Sequence, residues 1–452
     1  MANESPPEIP MFEQYVRELE SYANAALTGK NEFFQHVDLP KLLNGGVGAE
    51  LRRRVSLERR QKIGAFFTGE SLRRIALNPL LDSATSSAIW DPACGAGDLL
   101  LSYADRLPID SDIGITIKEW EKKIFGNDIE GAFIRAAKSR LILLAFSRGA
   151  RHTKKHNLTV KSSFPNLVKN NSLSTSQRTP SANILLNPPF ISTLAEKDCE
   201  WGNGSVSAAA VFVEMCTKNS SPGTLITAIL PDVLRTGARY ERWRNLISEY
   251  AEIRRVEIYG PFDPQADVDV FILELKTRVS RSKESCQYVN WGHEVNTSDD
   301  KVGNHFAVSV GSVVPHRHAE SGSTVAFLHS REAPPWGTLN EISSRRQFSG
   351  TTHTPPFVVI RRTSSPSDQD RAIGTIVNCP EPVAIENHLI VCKPNDGKLE
   401  TCANLLATLT SKRTNDWLNS RIRCRHLTVG AVKDIPLETK NNRPSIDFDN
   451  NS

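Results

Sequence analysis

The segment Ile89–Leu101 decides the fold class, and it reads Ile-Trp-Asp-Pro-Ala-Cys-Gly-Ala-Gly-Asp-Leu-Leu-Leu. Its apolar start predicts a short buried strand that ends at Asp91, and Leu99 to Arg106 has helical spacing. Open parallel sheets bind ligands at the carboxyl ends of their strands. Glycines let the backbone approach a ligand, and the N-terminus of the next helix presents free N–H groups. The segment therefore predicts a ligand site at a strand-to-helix turn.

Strands and helices alternate on both sides of this segment, which is typical of a doubly wound, mostly parallel sheet. We predict an α/β fold with a Rossmann-like sheet over residues 61–278 and a helical segment over residues 1–60. Further strands are predicted at 124–128, 183–187, 224–230, 255–259 and 268–276. Helices are predicted at 131–146, 208–216 and 241–249.

The pattern changes after the polar residues 277–285. Short β-like runs follow at 307–314, 357–361 and 388–392, with many Ser, Thr, Gly and Pro residues between them, and a helical stretch spans 399–419. This pattern predicts a second, β-rich α+β domain over residues 286–440. The polar tail 441–452 is predicted to be disordered.

A second strand-end motif is Asn187-Pro-Pro-Phe190, which follows the apolar run Ile184–Leu186. Consecutive prolines fix φ and force the chain into an extended turn. Asn187 is therefore predicted at a strand tip with its amide held outward. Asn-Pro is also a common turn starter. After the motif at Asp91–Gly97, however, a functional role is the better interpretation.

Three motifs in this order resemble the S-adenosylmethionine-dependent DNA methyltransferases that act on adenine N6. Asp91-Pro-Ala-Cys-Gly-Ala-Gly97 is similar to the family's cofactor motif DPACGSG, and Asn187–Phe190 is similar to its catalytic motif [DNS]PP[YFW]. Lys62–Thr68 is similar to the upstream cofactor segment. The motif order, with no room for a recognition domain before residue 276, resembles the gamma class, which includes type I modification subunits and type II adenine methyltransferases. A C-terminal target-recognition domain is implied.

The resemblance implies S-adenosylmethionine as the cofactor. It also implies that an acid on the second strand, Asp128, binds the ribose hydroxyls, with Glu130 as the competitor. Asn171 occupies the position where the family has an acid that binds the amino group of the cofactor's adenine. The cofactor-binding residues expected from the resemblance are Phe67, Thr68, Asp91, Pro92, Cys94, Gly95, Gly97, Asp128 and Asn171.

The catalytic residues implied are Asn187, Pro188, Pro189 and Phe190. The Asn187 side-chain oxygen and the Pro188 carbonyl are expected to accept hydrogen bonds from the adenine amino group, and Phe190 to stack on a flipped-out base. Phe262 is the candidate for a second stacking aromatic. In the second domain, DNA contacts are expected from Arg361, Arg362, Arg421 and Arg423.

We therefore expect a site-specific adenine-N6 DNA methyltransferase in a restriction-modification or related defence system. Its expected partner is double-stranded DNA, with a restriction endonuclease or a specificity subunit as an optional second partner. The alternatives are an RNA or protein-glutamine methyltransferase, and a non-catalytic DNA-binding scaffold.

Composition excludes several other classes. The 452 residues are 39% hydrophobic and carry a net charge of only +4, which argues against a chromatin-type basic protein and against an acidic disordered chain. Basic residues nevertheless gather at 51–62 and 412–433, where they form either solvated helix faces or DNA-phosphate contacts.

Cysteine usage and the N-terminus predict a cytoplasmic protein. The eight cysteines form no CxxC pair, the N-terminus has acid and proline before any apolar run, and no apolar stretch is long enough to span a membrane. His152/His156 and His316/His318 are interpreted as loop residues, so no metal is expected. The Asp…Glu-x-Lys pattern in 268–276 is interpreted as a strand and not as a nuclease motif.

Overall fold

The computed structural model of the chain describes residues 10–64, 68–80, 87–174, 180–262, 268–282, 291, 300–315, 317, 320–364, 366, 368–423 and 426–437. The chain forms two compact units, Met1–Trp291 and Gly292–Ser452. The predicted tail 441–452 and the predicted cofactor residue Phe67 lie outside the described residues. Within the described part of the chain, no helix is long and apolar enough to cross a membrane.

The first unit is built on a seven-stranded mixed sheet of order β3-β2-β1-β4-β7-β9-β8, and β5 pairs with β6 in a separate hairpin. Strands β3, β2, β1, β4 and β7 are parallel, and β9 runs antiparallel to both β7 and β8. The strands are β1 (Ile89–Asp91), β2 (Ile124–Asp128), β3 (Leu167–Lys169), β4 (Asn183–Leu186), β5 (Ser192–Leu194), β6 (Ser205–Ser207), β7 (Leu225–Pro231), β8 (Ala251–Pro261) and β9 (Asp269–Thr277).

Eleven helices of the first unit fall in the described residues, with short 3₁₀ turns at Asn31–Phe34, Asn78–Leu80 and Ala238–Tyr240. They are α1 (Pro10–Thr28), α2 (Leu39–Leu43), α3 (Gly46–Arg54), α4 (Leu57–Ile63), α5 (Glu70–Leu77), α6 (Asp98–Ala104), α7 (Ile113–Glu121), α8 (Gly131–Ser147), α9 (Ala208–Asn219), α10 (Val233–Thr236) and α11 (Glu241–Tyr250).

Strand β4 shows how the sheet separates two hydrophobic clusters. Leu185 belongs to the cluster that contains buried residues of α1, α6 and α8, whereas Ile184 and Leu186 belong to the cluster with α9 and α11. Successive side chains of a strand point to opposite faces, so this alternation places helices on both faces of the sheet. The α/β class predicted from the sequence is confirmed at this level.

The N-terminal helices pack on the first of these faces. Phe12 of α1 meets Phe133 of α8 edge-on, with ring centroids 5.6 Å apart. Arg135 of α8 forms ion pairs with Glu13 and Glu20 of α1. Helix α1 therefore packs directly against α8, one of the helices that cover the sheet.

The second unit contains a five-stranded sheet of order β10-β17-β14-β15-β12 and a three-stranded sheet of order β13-β11-β16. Its strands are β10 (Phe306–Val310), β11 (Ser323–Leu328), β12 (Thr338–Leu339), β13 (Arg345–Phe348), β14 (Phe357–Arg361), β15 (Gly374–Val377), β16 (Val383–Ile385) and β17 (Leu389–Pro394). Its helices are α12 (Val302–His305), α13 (Leu399–Leu409), α14 (Lys412–Arg421) and α15 (Val429–Lys433).

Strand β14 is buried on both faces. Val358 and Ile360 join a cluster with residues of α13 and α14, and Phe357 and Val359 join a cluster with β11 and β16. The five-stranded sheet thus packs helices on one face and the three-stranded sheet on the other. The predicted helix 399–419 is two helices, because the Ser411 hydroxyl accepts from the Thr414 N–H at 3.1 Å and starts α14 anew.

Candidate active site

A cavity of about 240 Å³ lies where β1, β2 and β4 end in the first unit. Because these strands are parallel, their carboxyl ends meet at one edge of the sheet. Among the described residues, the cavity brings together nine of the expected cofactor-binding and catalytic residues. They are Thr68, Asp91, Pro92, Cys94, Gly95, Asp128, Asn171, Asn187 and Pro189.

The turn after β1 is tight and internally hydrogen-bonded. An Asp91 carboxylate oxygen accepts from the Ala93 N–H at 3.0 Å. Gly97 precedes α6 with φ +85°, and a Cβ there would lie 3.0 Å from the Ala137 Cβ of α8. A side chain at this position is excluded both by the backbone conformation and by space. Gly97 does not line the cavity; it shapes the turn that does.

Asp128 holds two backbone segments together. Its Oδ2 accepts from the Gly95 N–H at 2.9 Å, and its Oδ1 accepts from the Glu130 N–H at 2.8 Å. The Ile129 backbone also donates to this carboxylate, which has about four lone-pair sites, so one acceptor site remains for a ligand. Glu130, named as the competitor, is 6% exposed and lines the same cavity. The structure thus brings both acids to the site.

Burial raises the pKa of two acids of the cavity, Asp91 and Asp128. Burial raises the pKa of Asp91 well above its usual range, and the neighbouring Asp128 carboxylate adds to that rise. Burial raises the pKa of Asp128 to about 6, against the hydrogen bonds from Glu130 and Gly95. A positive charge in the cavity would favour the ionised carboxylates. The site is therefore electrostatically suited to a cationic ligand.

Asn187 follows β4, and its amide has a fixed orientation. Its Nδ2 donates to the Thr68 hydroxyl at 2.9 Å. Its Oδ1 is buried and has no hydrogen-bond partner within the described ranges. A buried acceptor without a partner is costly and rare in folded proteins. The free oxygen is therefore available to a donor that enters the site.

The upstream segment touches the catalytic motif directly. Gly64 has φ +67°, and a Cβ built there would lie 2.5 Å from the Pro189 Cβ. Only glycine allows this approach, which explains the glycine in the Lys62–Thr68 segment. Pro188 is buried between its neighbours in the motif. The first and last of the three motifs are thus packed against each other.

The two candidate stacking aromatics are in contact. The Phe190 and Phe262 ring centroids are 5.2 Å apart at an interplanar angle of 66°. Phe262 is 9% exposed, and Phe190 is partly buried. The sequence predicted a stacking role for each ring but did not predict that the two rings are in contact.

Asn171 also lies at the cavity, at the turn after β3. Its side-chain oxygen accepts from the Leu173 N–H at 3.0 Å, within its own turn. Asn170 and Ser172 line the cavity beside it.

The sequence analysis missed a buried charge cluster under the cofactor turn. Arg140 of α8 is fully buried and donates to the carbonyls of Ala96 and Leu43 at 2.6 and 2.7 Å. It also pairs with Asp98 at 2.8 Å, and Arg73 lies 3.9 Å from the same carboxylate. The available signal was an arginine directly before the apolar run Leu141–Phe146, together with an acid directly after the motif glycines.

The four arginines expected to contact DNA all lie in the second unit. Arg361 donates to the Ala333 carbonyl at 2.8 Å, and Arg421 lies 3.3 Å from an Asp434 carboxylate oxygen. Arg362 directly follows Arg361 at the end of β14, and Arg423 follows α14. The Leu427 N–H donates to the Arg362 carbonyl at 2.8 Å, so the segment that follows α14 runs beside the end of β14.

Several basic residues of the run 51–62 form contacts within the protein. Arg53 and Arg54 both pair with Glu50, at 2.8 and 2.7 Å. Arg60 is 4% exposed, and its Nε donates to the Val55 carbonyl at 3.2 Å. The interpretation of the whole run as a phosphate-facing surface is wrong for Arg60, whose guanidinium is buried.

The side chains of His152 and His156 are in contact. His152 Nδ1 lies 3.3 Å from His156 Nε2. Across the ranges that the structure describes, no group of three or more His, Cys, Asp or Glu side chains could hold a metal ion.

Comparison with known proteins gives a family match and a set of structural likenesses. The N-6 DNA Methylase family model matches residues 51–256. No curated protein matches the chain. The type IIL restriction-modification enzyme MmeI, solved in complex with DNA, is 13% identical with a TM-score of 0.55, over 86% of this chain and 70% of that one. This likeness shows a shared fold.

Two further solved structures are less similar. The type IIG restriction endonuclease BpuSI is 14% identical with a TM-score of 0.46, over 98% of this chain and 68% of that one. A modification subunit of a putative type I restriction enzyme from Vibrio vulnificus YJ016 is 17% identical with a TM-score of 0.37, over 51% of this chain. The chain spans 48% of the length of that subunit. The matched residues 51–256 include the cavity and both strand-end motifs, so this part of the chain is similar to the N-6 DNA methylase family.

Proposed function

We propose that the chain is a site-specific DNA adenine-N6 methyltransferase that uses S-adenosylmethionine. The observation that carries the proposal is the free, buried Oδ1 of Asn187 beside a cavity lined by acids. The Thr68 hydroxyl occupies the other end of the amide, so the oxygen and not the nitrogen faces an incoming group. An amino group that needs an acceptor is the complementary substrate.

The cavity fits the proposed cofactor by its chemistry. S-adenosylmethionine is a cation, and the raised pKa values of Asp91 and Asp128 indicate carboxyl groups that ionise more readily beside a positive charge. Thr68, Pro92, Cys94 and Gly95 would hold its methionine part together with Asp91. Asp128 or Glu130 would accept from the ribose hydroxyls, and Asn171 would face the adenine. When bound, the cofactor supplies an electrophilic methyl group.

The catalytic motif would make the adenine nitrogen a better nucleophile. The lone pair of an exocyclic amine is delocalised into the ring. Acceptance of its two N–H bonds by Asn187 Oδ1 and the Pro188 carbonyl would make the nitrogen more tetrahedral and its lone pair more available. Catalysis would then come from positioning and electrostatics, with no covalent enzyme intermediate.

A target base must leave the duplex to reach Asn187. Phe190 would stack on the flipped adenine. Phe262 lies edge-on against Phe190 at a centroid distance of 5.2 Å, whereas a base between two rings needs about 7 Å, twice a carbon–carbon contact distance. The base would therefore displace Phe262 and then pack between the two rings.

We assign the domains as follows. Residues 61–278, with the helical segment 1–60, would form the catalytic domain, and residues 286–440 a target-recognition domain in which Arg361, Arg362, Arg421 and Arg423 contact DNA. The Rossmann-like methyltransferase layout of the sheet and this recognition role are supported by the fold shared with MmeI, a restriction-modification enzyme. Double-stranded DNA is the proposed substrate, in a restriction-modification system with a restriction endonuclease or specificity subunit as further partner.

The test is methyl transfer from cofactor labelled in its methyl group. The purified full chain is incubated with unmethylated genomic DNA, total RNA and a glutamine-containing peptide, and labelled nucleosides are identified by mass spectrometry. The proposal predicts label in N6-methyladenine of DNA and none with Asn187→Ala. Label in RNA or peptide would favour the alternative methyltransferases. DNA binding without transfer, equal in both proteins, would favour the scaffold.

A further inference from the structure

Four strands of the second unit bring basic residues to one edge. Strands β11 and β16 run parallel and end side by side at Leu328 and Ile385. Strand β14 ends opposite the start of β17, where Arg361 pairs with Leu389. The residues that follow or precede these ends are therefore neighbours. We define the basic edge as Ser330, Arg331, Arg361, Thr363 and His388, which line one open depression of about 510 Å³.

The acid nearest to this edge is buried and fully engaged. Glu386 is 2% exposed, and its Oε2 accepts from the Ser330 N–H at 2.7 Å. Its Oε1 lies 3.1 Å from His388 Nδ1 and 3.2 Å from His329 Nε2. Burial opposes ionisation of Glu386, but the hydrogen bonds from Ser330 and His388 hold its pKa below the usual range.

These contacts fix the histidines in donor orientations. The Arg331 N–H donates to His329 Nδ1 at 3.2 Å, which leaves the proton of a neutral His329 on Nε2, toward Glu386. His388 directs Nδ1 to the same carboxylate, so its Nε2 is the nitrogen left for the solvent side. The His388 side chain is half exposed. Glu386 therefore acts as a support that orients an imidazole toward the depression.

The Arg331 and Arg361 guanidinium groups are donors, and the Ser330 and Thr363 hydroxyls can donate; His388, whose Nδ1 faces Glu386, donates from Nε2 only in its protonated form. Among the described residues, those that line the depression are two arginines, one histidine, one serine and one threonine, and none of these five is an acid. Neither Arg331 nor Arg361 forms an ion pair with any residue in the described ranges, in contrast to Arg345, which pairs with Glu381 at 2.8 Å. Arg361 is held in place by its bond to the Ala333 carbonyl, and its Nε is buried. This set of groups is complementary to an oxyanion.

We propose that the basic edge binds a phosphate of the DNA backbone. The inference rests on the proposed DNA methyltransferase function, which supplies the polyanionic partner. It adds Arg331, His388 and the two hydroxyls to the contacts expected from Arg361 alone. Phosphate contacts position a protein on the duplex and carry no base specificity. The basic edge would therefore orient the recognition unit on DNA of any sequence.

The test compares two single-charge deletions in the full chain. Arg331→Ala removes an exposed guanidinium whose side chain makes no hydrogen bond in the described part of the chain. Lys398→Ala is the matched control, because Lys398 is exposed and follows the opposite end of β17. Arg331→Lys keeps the charge. The dissociation constants for a duplex containing the methylated site and for an unrelated duplex are measured by fluorescence anisotropy at several salt concentrations.

The expected result is weaker binding of both duplexes by Arg331→Ala. The plot of log affinity against log salt concentration should lose about 0.9 in slope for each phosphate contact removed. Lys398→Ala should keep the wild-type slope, and Arg331→Lys should restore it. An unchanged slope in Arg331→Ala, an equal loss in Lys398→Ala, or no DNA binding by the wild type would each overturn the inference.

Methyl transfer by the same wild-type preparation separates the two proposals. If the wild type methylates DNA and Arg331→Ala has the wild-type slope, the basic edge is refuted and the proposed function stands. If the wild type binds DNA with the expected slopes but transfers no methyl group to it, the proposed function is refuted and the phosphate site stands.

Discussion

The Thr68 hydroxyl should set the catalytic rate by orienting Asn187. Thr68→Val removes the acceptor of the 2.9 Å hydrogen bond from Asn187 Nδ2 and keeps the shape of the side chain. Thr68 is 6% exposed, so water cannot simply replace the lost hydroxyl. The Asn187 amide would then turn to find another acceptor for its nitrogen, and Oδ1 would no longer face the substrate amino group.

The size of the effect follows from the cost of a buried donor left without a partner. That cost is about 1–3 kcal/mol. If the amide must return to its catalytic orientation before each transfer, the same free energy adds to the barrier, which lowers kcat roughly 5- to 150-fold. The Kd of the cofactor should change less, because the valine side chain keeps its van der Waals contacts with the cavity.

The assay is single-turnover methyl transfer at saturating cofactor and DNA, with cofactor binding measured separately by calorimetry. Thr68→Ser is the matched control, since it keeps the hydroxyl and loses only a methyl group. It should retain most of the wild-type rate. A Thr68→Val rate within twofold of wild type, or a Thr68→Ser rate as low as that of Thr68→Val, would refute the orienting role.

Three further outcomes are expected. Arg140→Met should destabilise the first unit by about 3–5 kcal/mol, because it strands the buried Asp98 carboxylate; in urea unfolding, the double variant with Asp98→Leu should be more stable than the sum of the single effects. Phe262→Ala should weaken the capture of the flipped base by about 1–3 kcal/mol, measured with 2-aminopurine at the target position, and Phe262→Trp should not. The Kd of the cofactor should fall as the pH rises from 5 to 7, because Asp128 ionises near pH 6, and Asp128→Asn should flatten this dependence in calorimetric titrations.

The sequence predicted the elements that carry strong local signals. Strands β1, β2 and β4 are apolar runs closed by Asp91, Asp128 and Asn187, and their ends were placed within about one residue. Helix α8 was expected at 131–146 and spans Gly131–Ser147. Such boundaries depend on neighbours in sequence, so periodicity and turn residues suffice to find them.

The errors occurred where partners are distant in sequence. Strand β8 was expected at 255–259 but spans Ala251–Pro261, because its length is set by pairing with β9. The segment 268–276 was expected to close the sheet, yet β9 lies inside it and β8 forms the edge. A register between strands cannot be obtained from the periodicity of either strand alone.

The candidate site shows the same division. The three motifs, each of them contiguous, identified nine of the 23 described residues that line the cavity. The hydrogen bond from the Gly95 N–H to Asp128 joins residues 33 positions apart, and that from Arg140 to the Leu43 carbonyl spans 97 positions. The sequence around one partner of such a bond does not indicate which distant residue is the other partner. These long-range hydrogen bonds could therefore be identified only from the structure.

The contacts of Arg140 with Asp98, Ala96 and Leu43 also bear on which residues the proposed catalytic domain needs in order to fold. The Arg140 guanidinium joins the turn before α6 to the end of α2. Helix α2 precedes all three sequence motifs in the chain. A fragment that starts at residue 61 would contain all three motifs, yet it would lack the Leu43 carbonyl and the α1 side of the hydrophobic cluster. The first 60 residues and the sheet should therefore fold and melt in one cooperative transition, and the smallest autonomous catalytic fragment should begin near residue 10 rather than at the first motif.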